Sequence, residues 1–433
     1  MEQQPVTVSS EELRAWVKGL CRLAPVDDAD RIEMLRLLEE LKCAAAGAQA
    51  RVSRDFQDSQ LEEQRAAGVR ARDLGKGIAA QVALARREAP HRGSRLLGLA
   101  HALDEMPHAA VALSRGEISE WRATVLARET ACLSRADRGT VDAELASRRG
   151  GLGLMSDREV ERESRRIAYR LDPHAFTRRA AKAESERCVS VRPAPDTMTY
   201  LTGLLPVRQG VAVYAALTKH ADSLRSEGDA RTRGQIMADT LVERVTGQAS
   251  ACGVPVEVHL VMTDATLLAG DPQPAHVDGF GPVPAPLART WLADAEGSVW
   301  LRRVYTAPRS SDLAAMDSKR RAFAGNLRRF IGLRDGLCRT PWCGAPIRHI
   351  DHAVRASDAG PTSVLNGQGL CEACNLAKDA VGWRSRAAVN GVVETVTPTG
   401  HRYVSHVPPS PAARGPSGRS RLEAVFRDYV LSA

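Results

Sequence analysis

Two cysteine pairs, Cys338-x4-Cys343 in "CRTPWC" and Cys371-x2-Cys374 in "CEACN", constrain this chain more than any other feature. Each pair can bite a tetrahedral ion from a tight knuckle, and four thiolates complete a closed structural zinc site. The remaining five cysteines (Cys21, Cys43, Cys132, Cys188, Cys252) are isolated, and nine is an odd number. In a reducing compartment that pattern favours a metal over disulfides, with unligated core cysteines as the bland alternative. The first residues hold no basic stretch followed by an apolar run, and nowhere do about 18 apolar residues run uninterrupted. A cytoplasmic, non-membrane protein is the expectation.

Charge sharpens the picture. Of the formal +8, residues 319–386 carry 12 Lys/Arg against 5 Asp/Glu, whereas residues 1–318 carry 43 against 44. The positive excess therefore travels with the paired cysteines, and a polyanionic partner for that segment is the natural inference. A solvated basic face without a partner is the commoner fate of a charge cluster taken alone.

Length predicts two or three domains, and 4% aromatic residues favour Ala- and Leu-packed helices over a sheet sandwich. Residues 1–185 read as consecutive helices. Ser9 with Glu12, and Ser156 with Glu159, have capping-box spacing. Leu13, Trp16, Val17 and Leu20 predict one buried stripe, as do Val160, Ile167 and Leu171; Ile118, Trp121 and Val125; and Leu241, Val242 and Val245. Residues 186–318 read as a mixed α/β continuation. It holds a strand pair in "CVSVRPAPDTMTYLTGLLP", a strand in "VPVEVHLVMTD" and another in "VWLRRVYTAP". A basic helix with Phe323, Leu327, Phe330 and Ile331 on its apolar side leads into the cysteines. Residues 388–433 read as a hairpin turning at Pro398-Thr399-Gly400, a Pro/Ser linker and a short docking helix through Leu422, Val425 and Phe426.

Between the cysteine pairs stands "HIDH", residues 349–352. Four cysteines saturate a zinc ion, so these side chains are not needed as its ligands. On a strand, His349 and Asp351 point to one side and His352 to the other. A carboxylate can hold a hard metal ion, and an imidazole titrating near neutral pH can take a proton from water.

The order CRTPWC, HIDH, Asn366, then CEACNLAK resembles the HNH endonucleases, whose ββα-metal fold gathers a His-bearing strand, an Asn-bearing loop and a short helix around one divalent ion. Over nearly its whole length the chain is also similar to bacterial proteins joining an N-terminal "domain of unknown function 222" to a C-terminal HNH domain. The stretches "APHRGSRL", "RPAPDTMTYLTGLLP", "MADTLVERVTGQA", "CRTPWCGAPIRHIDH" and "TPTGHRYVS" carry that likeness.

The resemblance implies a mainly α fold with a smaller α+β part: a helical N-terminal domain, then a zinc-stapled ββα-metal domain over residues 319–387. It makes His352 the general base that activates water, and Asp351 and Asn375 the ligands of a catalytic Mg2+ or Mn2+. Asn366 braces the loop that carries the base, and Lys378 touches phosphate. Arg339, Arg348, Arg355 and Arg384 are candidates for sequence-independent phosphate contacts. Zinc would be the staple that holds the helix bearing Asn375 against the strand bearing Asp351.

One departure stands out. Many relatives with this N-terminal domain have two adjacent histidines where this chain has Asp351-His352, and an Asp in place of His349. The ligand Asp351 is therefore drawn from the broader HNH pattern, and His349 has no assigned role. The expected function is a metal-dependent DNA endonuclease, with a homodimer through the helical N-terminal domain as an expected assembly. The alternatives are a non-catalytic, zinc-dependent nucleic-acid-binding protein, or an interaction scaffold acting through residues 1–310.

Overall fold

The computed structural model describes residues 8–248, short stretches between 250 and 293, 323–388 and 391–408. The strand expected in "VWLRRVYTAP", most of that in "VPVEVHLVMTD", the Pro/Ser linker and the C-terminal docking helix lie outside the described residues. The described chain is mainly helical with small sheets. It divides into two compact units, residues 1–58 with 96–176, and residues 59–95 with 177–433.

The first unit contains α1 (Ser10–Leu20), the body of the long α2 (Asp28–Ala66), most of α4 (Pro90–Asp104), α5 (Pro107–Ser114), α6 (Glu120–Thr130), α7 (Arg135–Ala146), α8 (Asp157–Leu171) and the start of α9 (Pro173–Ser185). Both capping boxes form, at Ser9 and Glu12 and at Ser156 and Glu159. One continuous core runs from Cys43 through Met106, Leu113, Leu126, Leu145 and Ile167 to Ala168. The stripe of α8 is buried as its period demands, with Val160 and Ile167 inside.

Three stripes depart from expectation. No residue of α1 is buried, and Trp16 is 50% exposed. Trp121 and Val245 also face outward while Ile118 and Val125 are buried. Periodicity reports which residues share a helix face, but burial requires an element to cover that face.

Two buried carboxylates inside this unit are met by donors from neighbouring helices. The buried Asp142 of α7 accepts from the backbone N–H of His108 (2.7 Å) and Ala109 (2.9 Å), capping the start of α5. Burial raises its carboxyl above the usual range despite these bonds. Glu129 is also buried; burial alone would raise it, but hydrogen bonds from Arg165 and Arg128 outweigh that and hold it below the usual range.

In the second unit, β1 (Cys188–Pro193) and β2 (Thr199–Leu204) form the expected antiparallel pair, followed by the helices α10 (Val207–Ser226) and α11 (Arg233–Thr246). β3 (Leu260–Val261), β4 (Ala275–Val277) and β5 (Gly281–Val283) make a small sheet beside α12 (Ala285–Ala293). The basic helix α13 (Gly325–Asp335) has Leu327 and Ile331 buried, with Phe323 just before it. After it come β6 (His349–His352), β7 (Gly367–Leu370) and α14 (Glu372–Lys378), then the sheet β8 (Arg384–Ala387), β9 (Val393–Val396) and β10 (Arg402–Ser405). The β9–β10 hairpin turns where the sequence places it, closed by Thr397 N–H to His401 O.

The same unit contains α3 (Ile78–Ala85), far away in sequence. Ala80 and Leu84 pack with Ala380 and Trp383, and Thr399 donates to Gln81 (3.0 Å). Gly77, at φ +84° ahead of α3, is held to glycine by Trp383: a Cβ there would lie 2.5 Å from the indole nitrogen.

Candidate metal centre and adjoining polar site

The cysteine pairs meet. Leu337 bridges to Pro346, and Cys338 N–H donates to Ala345 O, forming the first knuckle. The second pair begins a helix: Cys371 is the N-cap of α14, and its sulfur accepts from Cys374 N–H. All four sulfurs lie within 4.8 Å of one another, with Cys343–Cys371 at 3.7 Å and Cys343–Cys374 at 3.6 Å. Thiolates around a zinc ion sit about 3.8 Å apart, given Zn–S of about 2.3 Å and tetrahedral angles. The group can therefore hold a structural metal such as zinc.

Thiols this close titrate against one another. The bond with Cys343 does most to lower Cys338, and bonds from Cys338, Cys343 and Cys374 hold Cys371 below the ordinary thiol range. Cys374 is pushed up by the same neighbours. Four thiolates in this space need a cation, which fits the donor set to a soft divalent metal.

The polar site is built on β6, β7 and α14. β6 pairs antiparallel with β7, placing Asp351 opposite Gln368 and His352 opposite Gly367. Alternation holds: His352 is buried, while His349 is exposed. The His352 ring contacts Phe323 at 4.6 Å between centroids, and its Nε2 lies 2.9 Å from Thr362 Oγ1. Its Nδ1 is 3.6 Å from Asp351 Oδ1.

Asn366 is buried and spends its amide on backbone. Its oxygen accepts from Val354 N–H (2.8 Å), and its nitrogen donates to Val354 O (2.9 Å) and Pro361 O (2.8 Å). It thus ties together the loop that brings Thr362 to His352. Asn375, on α14, has an Oδ1 that is buried and without a hydrogen-bond partner. Such an atom costs about 1–3 kcal/mol unless something compensates it.

Lys378 ends α14 and is buried, its Nζ 2.9 Å from Asp351 Oδ2 and 3.3 Å from Asp379 Oδ1. Burial alone would raise the Asp351 carboxyl, but the hydrogen bond and charge of Lys378 outweigh it and hold Asp351 below the usual carboxylate range.

Three basic residues expected at phosphate are engaged elsewhere. Lys378 faces carboxylates. Arg339 is buried, donating from Nη1 to Asp335 (3.1 Å), from Nη2 to Gly391 O and Ser405 O, and from Nε to Ser405 Oγ. Arg355 is half-buried, donating to Lys378 O (2.7 Å) and lying 3.4 Å from Asp379. Arg348 and Arg384 are exposed.

Asp335 is a residue that sequence reasoning missed. Its fully buried carboxylate accepts from Arg334, Arg339 and the Gly369 N–H of β7, while Arg334 also donates to Val364 O and Gly367 O. This network pins the Asn366 loop and β7 to the end of α13. The two approach closely at Gly367, where a Cβ would clash with Ile331 Cδ1. No local pattern announces a bond from residue 335 to residue 369. Thr362 likewise carries no signal in sequence.

Residues 35–335 match a family described as "Domain of unknown function (DUF222)". The chain belongs to the DUF222 family. The match ends shortly before Cys338, so the cysteines and the polar site lie beyond it. This DUF222 chain is 27% identical to the uncharacterized protein Rv3776 of Mycobacterium tuberculosis, over 88% of its own length and 80% of the relative's. It is 28% identical to the uncharacterized protein Rv2100 of the same organism, over 77% and 70% respectively. No solved structure matches it. Among the described residues of this DUF222 protein, no helix is long and apolar enough to cross a membrane.

Proposed function

We propose that this DUF222 chain is a metal-dependent DNA endonuclease of the HNH type. The observation that carries the reading is the unpartnered, buried Asn375 Oδ1, on a helix packed against the strand that bears Asp351. A carboxylate held ionised and an orphaned amide oxygen are donors suited to a hard cation, quite unlike the sulfur cage beside them. When bound by Asp351 and Asn375, Mg2+ or Mn2+ stabilises charge developing on the leaving oxygen of a phosphodiester.

The chain's own residues do the rest. Nε2 of His352 lies 2.9 Å from Thr362 Oγ1; in the tautomer that donates Nε2–H to this hydroxyl, the lone pair on Nδ1 is left to take a proton from water. Asn366 keeps the loop behind Thr362 in place. Lys378 holds Asp351 ionised, and the exposed Arg348 and Arg384 contact phosphate oxygens. Zinc at the four cysteines anchors the start of α14, fixing Asn375 in the residue after Cys374.

One observation favours a second reading. The Lys378 ammonium already compensates Asp351, as a non-catalytic, zinc-dependent nucleic-acid-binding module would require. Nicking of supercoiled plasmid in Mg2+ or Mn2+ separates the two. The nuclease reading expects wild type to nick and His352→Ala and Asp351→Ala to lose at least about a hundredfold in rate. Equal nicking by all three overturns it, and retardation of DNA without nicking in either ion supports the binding module.

A further inference from the structure

The long helix α2 has one covered face and, opposite it, a second seam that is apolar throughout. Glu40, Cys43, Gly47, Ala50, Arg54 and Gln57 follow one another at alternating steps of three and four residues. This seam packs on the first unit: Cys43 and Ala50 join its core, Gly116 fits against Glu40, Arg54 pairs with Asp104 and Gln57 bonds His101. Met34, Leu38, Leu41, Ala45, Ala48 and Val52 repeat at the same steps. Ala45, Ala48 and Val52 each lie two residues from a member of the first seam, and two residues turn a helix by about 200°. The second seam therefore runs along the opposite side. Leu41 is 42% and Val52 66% exposed, Ala45 is exposed, and Leu35 and Leu37 beside the seam are exposed as well.

A strict 3.5-residue repeat is the pattern one helix needs to stay in register with another, and about five turns of it run along this face, with Leu41, Ala45 and Val52 exposed and Met34, Leu38 and Ala48 half-buried. The flanking charges do not oppose a like partner, because Arg36 is paired with Glu33 and Glu40, and Lys42 with Glu39, within α2 itself. Side-chain size sets the direction. Run antiparallel against its own copy, the seam meets Leu38 with Ala48, Leu41 with Ala45, and Met34 with Val52, so large and small residues complement each other in the two inner layers. Run parallel, it would set Ala45 on Ala45 and Ala48 on Ala48 and leave voids.

We propose that two copies of this chain associate through the Met34–Val52 seam of α2 as an antiparallel, two-fold symmetric helix pair. The proposal stands independently of the nuclease reading.

Sedimentation equilibrium on the full zinc-loaded chain tests it. Wild type is expected near twice 46.8 kDa. Leu41→Glu is expected to raise the dissociation constant at least about a hundredfold, with unchanged far-ultraviolet circular dichroism. Ala45→Leu keeps a strong helix former and separates the two directions. It would crowd Leu41 and weaken an antiparallel dimer, but fill the void of a parallel one. A wild-type monomer at all concentrations, a dimer indifferent to Leu41→Glu, or tighter association of Ala45→Leu would each overturn the proposal. So would a monomer that co-sediments with vesicles of anionic phospholipid through this seam.

Discussion

The first unit and the cysteine module are held together by different means. In the helical unit one continuous core gathers side chains from α2 and from α4 to α8, and its buried carboxylates, Asp142 and Glu129, are answered by neighbouring helices. Around residues 337–374 the tightest cluster is the four cysteines with Leu370, and a second small one joins Phe323, Leu327, Ile331 and Val364. Clusters of that size supply little burial energy, so position there rests on the thiolate cage and the Asp335 network. The large unit can tolerate the loss of one polar contact, whereas the module depends on each of its few anchors.

The largest expected effect separates them outright. Stripping metal with a strong chelator, or Cys371→Ser, removes on the order of 10 kcal/mol of binding energy from the module. Hydrogen exchange of β6, β7 and α14 should rise to the unprotected rate while α5 to α8 keep their protection. Parallel loss in both units would break the contrast. Next, Asp335→Ala leaves Arg334 and Arg339 buried without their carboxylate and should cost the module about 3–5 kcal/mol in denaturant melts. In the helical unit, Asp142→Ala uncaps α5 and should cost about 2 kcal/mol, with Asn, a neutral acceptor, costing less.

The smallest effect is one of pH. Glu129 is held below its ordinary value in the folded chain. Its contribution is therefore fully present above the unfolded carboxyl range, about pH 4.3, and lost as pH falls through the lowered folded value. Acid melts of Glu129→Gln should be flatter in that window than those of wild type.

Local chemistry was legible in sequence, and long-range closure was not. The capping boxes, the β9–β10 turn, the alternation through HIDH and the meeting of the two cysteine pairs depend on neighbours a few residues apart or on ligand spacing. The exposure of α1, the grouping of α3 with the C-terminal sheet and the burial of Arg339 depend on partners dozens to hundreds of residues away. Lys378 is the instructive intermediate: helix position brings it near the site, but only the fold reveals that its partner is Asp351. Asn366 stands out in sequence through its place in the motif, yet Thr362, the residue its loop brings to His352, has no signature at all.

The most direct test of the account is plasmid nicking by Asn375→Ala with the zinc content measured on the same sample. The side chain has no hydrogen bond through Oδ1 to lose, so the variant should retain one zinc per chain and wild-type protection of α14 while nicking falls at least about a hundredfold in Mg2+ and Mn2+. Undiminished nicking by a zinc-replete Asn375→Ala protein would contradict the account.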